Sequence, residues 1–84
     1  MSIQGQAIAY EAARDAINDA IAGYSEQIAL EQQRLTPKLV RIAWLEMRTS
    51  QAIATRDALN TEDTESLPQT LLEYSAIVRA HDAN

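Results

Sequence analysis

The sequence predicts an all-α protein made of a long antiparallel helical hairpin and a short C-terminal third helix. Apolar residues recur every three to four positions over residues 3–35, which is the spacing of an amphipathic helix. The recurrence stops at Thr36-Pro37 and restarts in a new phase, which indicates a second helix. With 84 residues and no cysteine, the chain is expected to form one small helical domain over residues 1–84 without disulfides.

The first helix is predicted over residues 2–35. Its apolar stripe keeps one register on both sides of Gly23, the plausible break point, so an intact helix is favoured. Alanines and other apolar residues beside the stripe make it wider than a coiled-coil seam, which suits a helix with two neighbours. The stripe consists of Ile3, Ala7, Tyr10, Ile17, Ile21, Tyr24, Ile28 and Leu35.

The second helix is predicted over residues 37–59. Pro37 suits the first position of a helix because its missing N–H would have no partner there, and Thr36 can cap the free amides. Trp44, Leu45 and Leu59 fall outside the main apolar face, and Ile42 and Ile53 lie at its margin. That main face comprises Leu39, Val40, Ala43, Met47, Ala54 and Ala58.

An acidic loop is predicted over residues 60–66, where polar turn-forming residues are concentrated. A third helix follows over residues 67–80. Its apolar face holds Leu67, Leu71, Tyr74 and Val78, with Leu72 and Ile77 beside it. A helix of this length is marginal alone in water, so it is expected to pack against the hairpin or a partner.

Charge is segregated along the chain, whose net charge is −5. Residues 1–33 carry five acidic residues and one arginine (net −4), and residues 34–56 carry five basic residues and Glu46 (net +4). Residues 57–84 carry six acidic residues and Arg79, which gives net −5. Arg14 and Glu31 occupy core-register positions of the first helix. They either reach water near the helix ends or form cross-chain pairs that set the register of an assembly.

No pattern of catalytic residues is present. The sequence lacks the spacings of hydrolase triads, zinc hydrolases and nucleotide-binding loops, and its single histidine, His81, is expected in a frayed tail. We therefore predict a non-enzymatic protein with no catalytic, cofactor-binding or metal-binding residues. No apolar run is long enough for a membrane span and no signal peptide is apparent, so a cytoplasmic protein without membrane association is expected.

A homodimer is predicted, in which the apolar stripes of two hairpins form a helical bundle. Two packed helices alone would leave much of the wide stripe in water, and large exposed apolar patches are unusual in monomers. The sequence leaves the orientation of the helices and the possibility of a higher oligomer open. The predicted oligomer core is Tyr10, Ile17, Ile21, Tyr24 and Ile28.

The favoured function is that of a protein–protein interaction module, for example a small regulator, inhibitor or assembly factor. Trp44 is either part of the core, covered by the third helix, or an exposed interface residue. The alternative is a nucleic-acid-binding regulator that uses a basic stripe on the second helix, with RNA favoured over DNA. The predicted partner-binding residues are Arg34, Lys38, Arg41, Trp44, Leu45 and Arg48.

Overall fold

The computed structural model describes residues 3–83, which form three α-helices. These are α1 (Ile3–Gln32), α2 (Leu39–Asp57) and α3 (Ser66–Asp82). No strand occurs within the described range, so the predicted all-α class and the three-helix order are confirmed. The predicted start of the first helix at Ser2 lies outside the described residues.

The first helix is long and unbroken. It passes through Gly23 without a positive φ angle, as the continuous register of its stripe indicated. Its 30 residues span about 45 Å at the usual rise, and the Cα trace as a whole measures 53 × 23 × 14 Å. The prediction placed the end of this helix three residues too late. Leu35, assigned to the apolar stripe, lies beyond the helix and is fully exposed, because the chain reverses direction over residues 33–38.

The reversal between α1 and α2 is stabilised by Glu31. Its buried carboxylate accepts a hydrogen bond from the backbone N–H of Lys38 (2.8 Å) and one from the guanidinium of Arg34 (3.2 Å). These bonds lower the pKa of Glu31, the backbone bond more than the arginine. The expectation that Thr36 caps the second helix at Pro37 is therefore wrong, because α2 begins two residues later and Glu31 binds the amide of its N-cap residue.

Both later helices pack against α1. Hydrogen bonds from Lys38 to Glu31 and from Arg56 to Asn18 run in opposite order along the two helices, which makes α1 and α2 antiparallel. The third helix returns alongside α1 until His81 lies against Gly23. The Cα traces of α2 and α3 nowhere approach within 8 Å of each other. The molecule is thus an open three-helix arrangement centred on α1.

The core is formed where α1 meets the other two helices. Small side chains let the helices approach closely, and Ile17, Tyr24 and Leu45 fill the remaining space. Ile21 and Ile28 are partly buried against this cluster. The buried members are Ala16, Ile17, Ala20, Tyr24, Leu45, Ala52 and Tyr74.

The prediction of which side of α2 faces α1 is wrong. The buried residues are Ile42, Leu45 and Ala52, whereas the predicted main face is exposed. Several of its members are among the most exposed apolar residues, with Leu39 at 75% and Val40 at 85%. Apolar residues occur on both sides of this helix, so their spacing alone did not identify the packed side. The side that packs also carries Arg48 and Arg56, which hydrogen-bond to Tyr24 and Asn18 of α1.

The third helix follows the prediction more closely. Leu67 and Tyr74 are buried, and Leu71, Ile77 and Val78 are partly buried against the core, as expected of its apolar face. It differs from the prediction in that Leu72 is exposed and the helix extends to Asp82. His81 therefore lies inside α3, and the expected frayed tail at this position is wrong.

Candidate partner-binding surface

The largest exposed apolar feature of α2 is the side turned away from α1, which we call the outer face and define as Leu39, Val40, Ala43, Trp44 and Met47. Trp44 and Met47 are 46% and 48% exposed, and the leucine and valine are more exposed still. The residues follow a spacing of three and four, so they lie together over about two turns of the helix. Scattered exposed apolar residues are normal on a protein surface, whereas these five residues are contiguous.

Two arginines flank Trp44 at the edge of the outer face. The guanidinium carbons of Arg41 and Arg48 lie 5.8 Å and 6.0 Å from the centroid of the indole ring, within the range of cation–π attraction. Arg48 also donates to the hydroxyl of Tyr24 (3.3 Å), and Arg41 donates to the side-chain carbonyl of Gln27 (3.2 Å). Both arginines are thus positioned by uncharged acceptors on α1.

Neither of these arginines forms an ion pair within residues 3–83. The ion pairs in this range join Arg34 to Glu31 and Arg56 to Asp57. The hydrogen bond to the Tyr24 hydroxyl is the main cause that raises the pKa of Arg48, and Glu73 adds a weaker effect at longer range. No carboxylate oxygen of residues 3–83 lies within 4.0 Å of either guanidinium. Their charges are held in place without a direct counter-charge.

A cleft runs between α2 and α3 beside this arginine pair. Its volume is about 300 Å³, and α1 forms its floor. Trp44 lies on one wall and His81 on the other, so the cleft joins the outer face to the end of α3. It is lined by Tyr24, Gln27, Arg41, Trp44, Arg48, Ile77, Ala80 and His81.

The six predicted partner-binding residues are divided by the structure. Arg41, Trp44 and Arg48 come together around the indole ring, as described. Arg34 and Lys38 lie in the α1–α2 reversal next to Glu31, where Arg34 is already paired. Leu45 is fully buried in the core, so it cannot reach a partner while the hairpin is closed, and its assignment as a partner contact is corrected.

The predicted oligomer-core residues lie along α1. Ile17 and Tyr24 are buried by the chain's own second and third helices, and Tyr10, Ile21 and Ile28 are partly buried. Arg14, the second core-register charge, is exposed.

A larger groove, of about 640 Å³, lies beside the C-terminal end of α3. Asp19, Glu26 and Asp82 place carboxylates along it, and Arg41 and His81 are shared with the cleft. Within residues 3–83 no cluster of three or more histidine, cysteine or acidic side chains has an arrangement that holds a metal ion. The same range contains no helix with the length and hydropathy of a membrane span.

The contact between His81 and α1 is the feature that sequence reasoning missed. The ring of His81 packs edge-on against Tyr24, with 4.8 Å between ring centroids and 78° between ring planes. Its Nδ1 atom is buried and has no hydrogen-bond partner within the described residues. Gly23 was the available signal, because a glycine that does not break its helix often marks a close approach by another element.

Comparison with models of protein families, with curated proteins and with solved structures finds no match to this chain. The proposals below therefore depend on its own residues and their geometry.

Proposed function

We propose that this protein is a non-enzymatic protein–protein interaction module, such as a small regulator, inhibitor or assembly factor. The supporting observation is the outer face, where Leu39, Val40, Trp44 and Met47 are 46–85% exposed on a helix whose opposite side is packed. Tryptophan and arginine are the residues most enriched at the centres of protein interfaces. Trp44 with its two flanking arginines gives the face such a centre.

The experiment is an affinity capture from lysate of the source organism, with the full chain as bait. Wild type is compared with Met47→Glu, which places a charge on the outer face, and with Leu72→Glu as the matched control. Leu72 is 69% exposed on α3 and lies off the outer face. We expect one partner to be retained by wild type and by Leu72→Glu and lost from Met47→Glu. Equal capture by all three, with circular dichroism showing intact helices, refutes the role of this face.

A homodimer is a second part of the proposal. Tyr10, Ile21 and Ile28 remain partly exposed along α1, and Ile8 is 61% exposed on the same helix. These residues offer apolar surface that a second copy would cover. Sedimentation equilibrium at micromolar concentration tests this part: a mass of 9.3 kDa refutes the dimer, and twice that mass supports it. The proposed location is cytoplasmic, which fractionation of source cells tests.

The nucleic-acid alternative has weaker support. Arg34 is paired with Glu31, and the backbone amide of Lys38 binds that same carboxylate. Among residues 3–83, Arg34 is the one member of the predicted basic stripe that forms an ion pair, and the whole chain carries a net charge of −5. A gel-shift titration with structured RNA and duplex DNA at about 50 mM salt tests it. Micromolar binding that disappears in Arg41→Glu/Arg48→Glu favours this alternative over the protein partner.

A further inference from the structure

The arginine pair around Trp44 restricts what can cover the outer face. Arg41 and Arg48 are seven residues apart on one helix, hence about 10.5 Å apart along its axis. The indole ring lies between them, 5.8 Å and 6.0 Å from the two guanidinium carbons. Neither has an ion-pair partner among residues 3–83, although the chain contains 12 acidic residues. The edge of the outer face thus presents two fixed positive charges to an incoming molecule.

A second copy of the chain is a poor occupant of this face. Residues 34–56 carry a net charge of +4, so face-to-face pairing of two α2 helices brings like charges together. In an antiparallel pair the same flank of each helix meets, which places Arg41 of one copy close to Arg48 of the other. The charge pattern favours an acidic occupant instead.

We propose that the outer face binds an acidic amphipathic helix of a partner protein. This inference rests on the proposed function and names the class of partner. Apolar side chains of the partner helix pack on Val40, Trp44 and Met47, as in other helix-in-groove complexes. Two of its carboxylates, about two helical turns apart, accept charge-assisted hydrogen bonds from Arg41 and Arg48. The apolar contacts supply most of the affinity, and the charge pairs set the orientation and exclude basic helices.

The test uses a designed helical peptide as the probe. It carries leucines along one side and two glutamates seven residues apart at the edge of that side, and it contains no tryptophan. A second peptide has lysines in place of the two glutamates. Each is titrated into the full chain while the emission of Trp44, the chain's single tryptophan, is recorded. Because Trp44 is 46% exposed, docking on it should shift the emission to shorter wavelength.

We expect the glutamate peptide to bind at least about tenfold more tightly than the lysine peptide, with a preference that weakens as salt is added. The charge-swapped chain Arg41→Glu/Arg48→Glu should invert the preference. Leu72→Glu, the control off the outer face, should keep it. Equal binding of both peptides, or binding of neither, overturns the proposal.

Two further outcomes also overturn it. If sedimentation without peptide shows a dimer that Met47→Glu dissociates, a second copy covers the outer face. If structured RNA displaces the bound glutamate peptide at micromolar concentration, Arg41 and Arg48 bind the phosphates of a nucleic acid instead. The two experiments can fail separately. If the chain does not prefer the glutamate peptide but Met47→Glu still loses the partner captured from lysate, the acidic class of partner is refuted and the proposed function stands. If the peptide preference is absent and Met47→Glu also captures the same proteins as wild type, both the acidic partner and the proposed function are refuted.

Discussion

The imidazole of His81 occupies the space that a side chain at Gly23 would fill. A Cβ atom built on Gly23 would collide with Nδ1 of this ring and would lie 2.7 Å from Cε1 and 2.9 Å from Cγ. These distances are below van der Waals contact, so the His81 ring can occupy this position only because residue 23 has no side chain. The side chain of His81, in the last turn of α3, thereby packs against α1 at Gly23 and Tyr24.

This relationship predicts that Gly23→Ala destabilises the protein, although alanine is favoured over glycine in a helix by about 1 kcal/mol. The new methyl group displaces the ring of His81, so the packing of that ring against Tyr24 is lost. In a His81→Ala background the collision is absent, so the same substitution should stabilise by about 1 kcal/mol. Urea unfolding of the four variants gives the coupling between the two positions.

The prediction is tested by whether Gly23→Ala lowers or raises the free energy of unfolding in the wild-type background. Stabilisation by Gly23→Ala to the same extent in both backgrounds would show that His81 moves aside freely and that the close approach has no energetic consequence.

Leu45→Ala should destabilise the protein by roughly 2–5 kcal/mol, the usual cost of removing a buried leucine side chain. Leu45 is fully buried in the core between the helices. Leu39→Ala is the matched control, since the same atoms are removed from a residue that is 75% exposed. The control should change the free energy of unfolding by less than about 0.5 kcal/mol. Similar costs for both variants would contradict the observed orientation of α2.

Glu31 should make the stability of the hairpin depend on pH in the acidic range. Its pKa in the folded state is lowered from an ordinary value of 4.5, mainly by the hydrogen bond from the Lys38 amide and also by Arg34. Its stabilising contribution is therefore complete above pH 4.5 and is lost as the pH falls through the lower, folded-state pKa. Thermal unfolding at about pH 7 and about pH 3 should show a smaller acid-induced decrease in Tm for Glu31→Gln than for wild type.

That comparison isolates Glu31 because the other acidic residues are unchanged in both proteins. An identical decrease in Tm would mean that the carboxylate contributes no charge-dependent stability to the α1–α2 reversal.

Asp63 should be needed for the start of α3. Its carboxylate accepts hydrogen bonds from the backbone N–H of Ser66 (3.0 Å) and from the Ser66 hydroxyl (2.6 Å), and these bonds lower the pKa of Asp63. Asp63→Ala removes both acceptors and should lower Tm, whereas Asp63→Asn keeps one acceptor and should lower it less. Glu62→Ala is the control, because it removes one negative charge at the adjacent position. It should leave Tm nearly unchanged.

Much of the fold follows from the sequence because a 3.6-residue periodicity and Pro37 report directly on local backbone structure. The three helices, the unbroken passage through Gly23 and most of the packed side of α3 were predicted in this way. The exact ends of the helices were not. Glu31 binds the Lys38 amide across seven residues, and such a contact depends on how the chain reverses rather than on the residues next to the helix end.

The site was harder to predict because α2 is apolar on two sides. Counting apolar residues favoured the side with Leu39, Val40 and Met47, which is the exposed one. The packed side was selected by fit to α1, since Ala52 permits close approach and Arg48 reaches the Tyr24 hydroxyl. Such pairings between helices have no signature in the local sequence. Because α2 has apolar residues on two sides and packs with only one of them, an apolar surface stays exposed on the other.

The Cα traces of α2 and α3 each come within 8 Å of α1 but not of each other, which has a consequence for how the protein opens. Detachment of α3 does not break any backbone contact of the α1–α2 hairpin, so the protein can open in parts rather than only all at once. Backbone amides of α3 should therefore exchange with deuterium sooner than those in the central turns of α1, around Ile17 and Ala20, which both neighbours protect. Detachment would also uncover the ring of Tyr24 that His81 covers, so this end of the cleft widens on the timescale of that local unfolding.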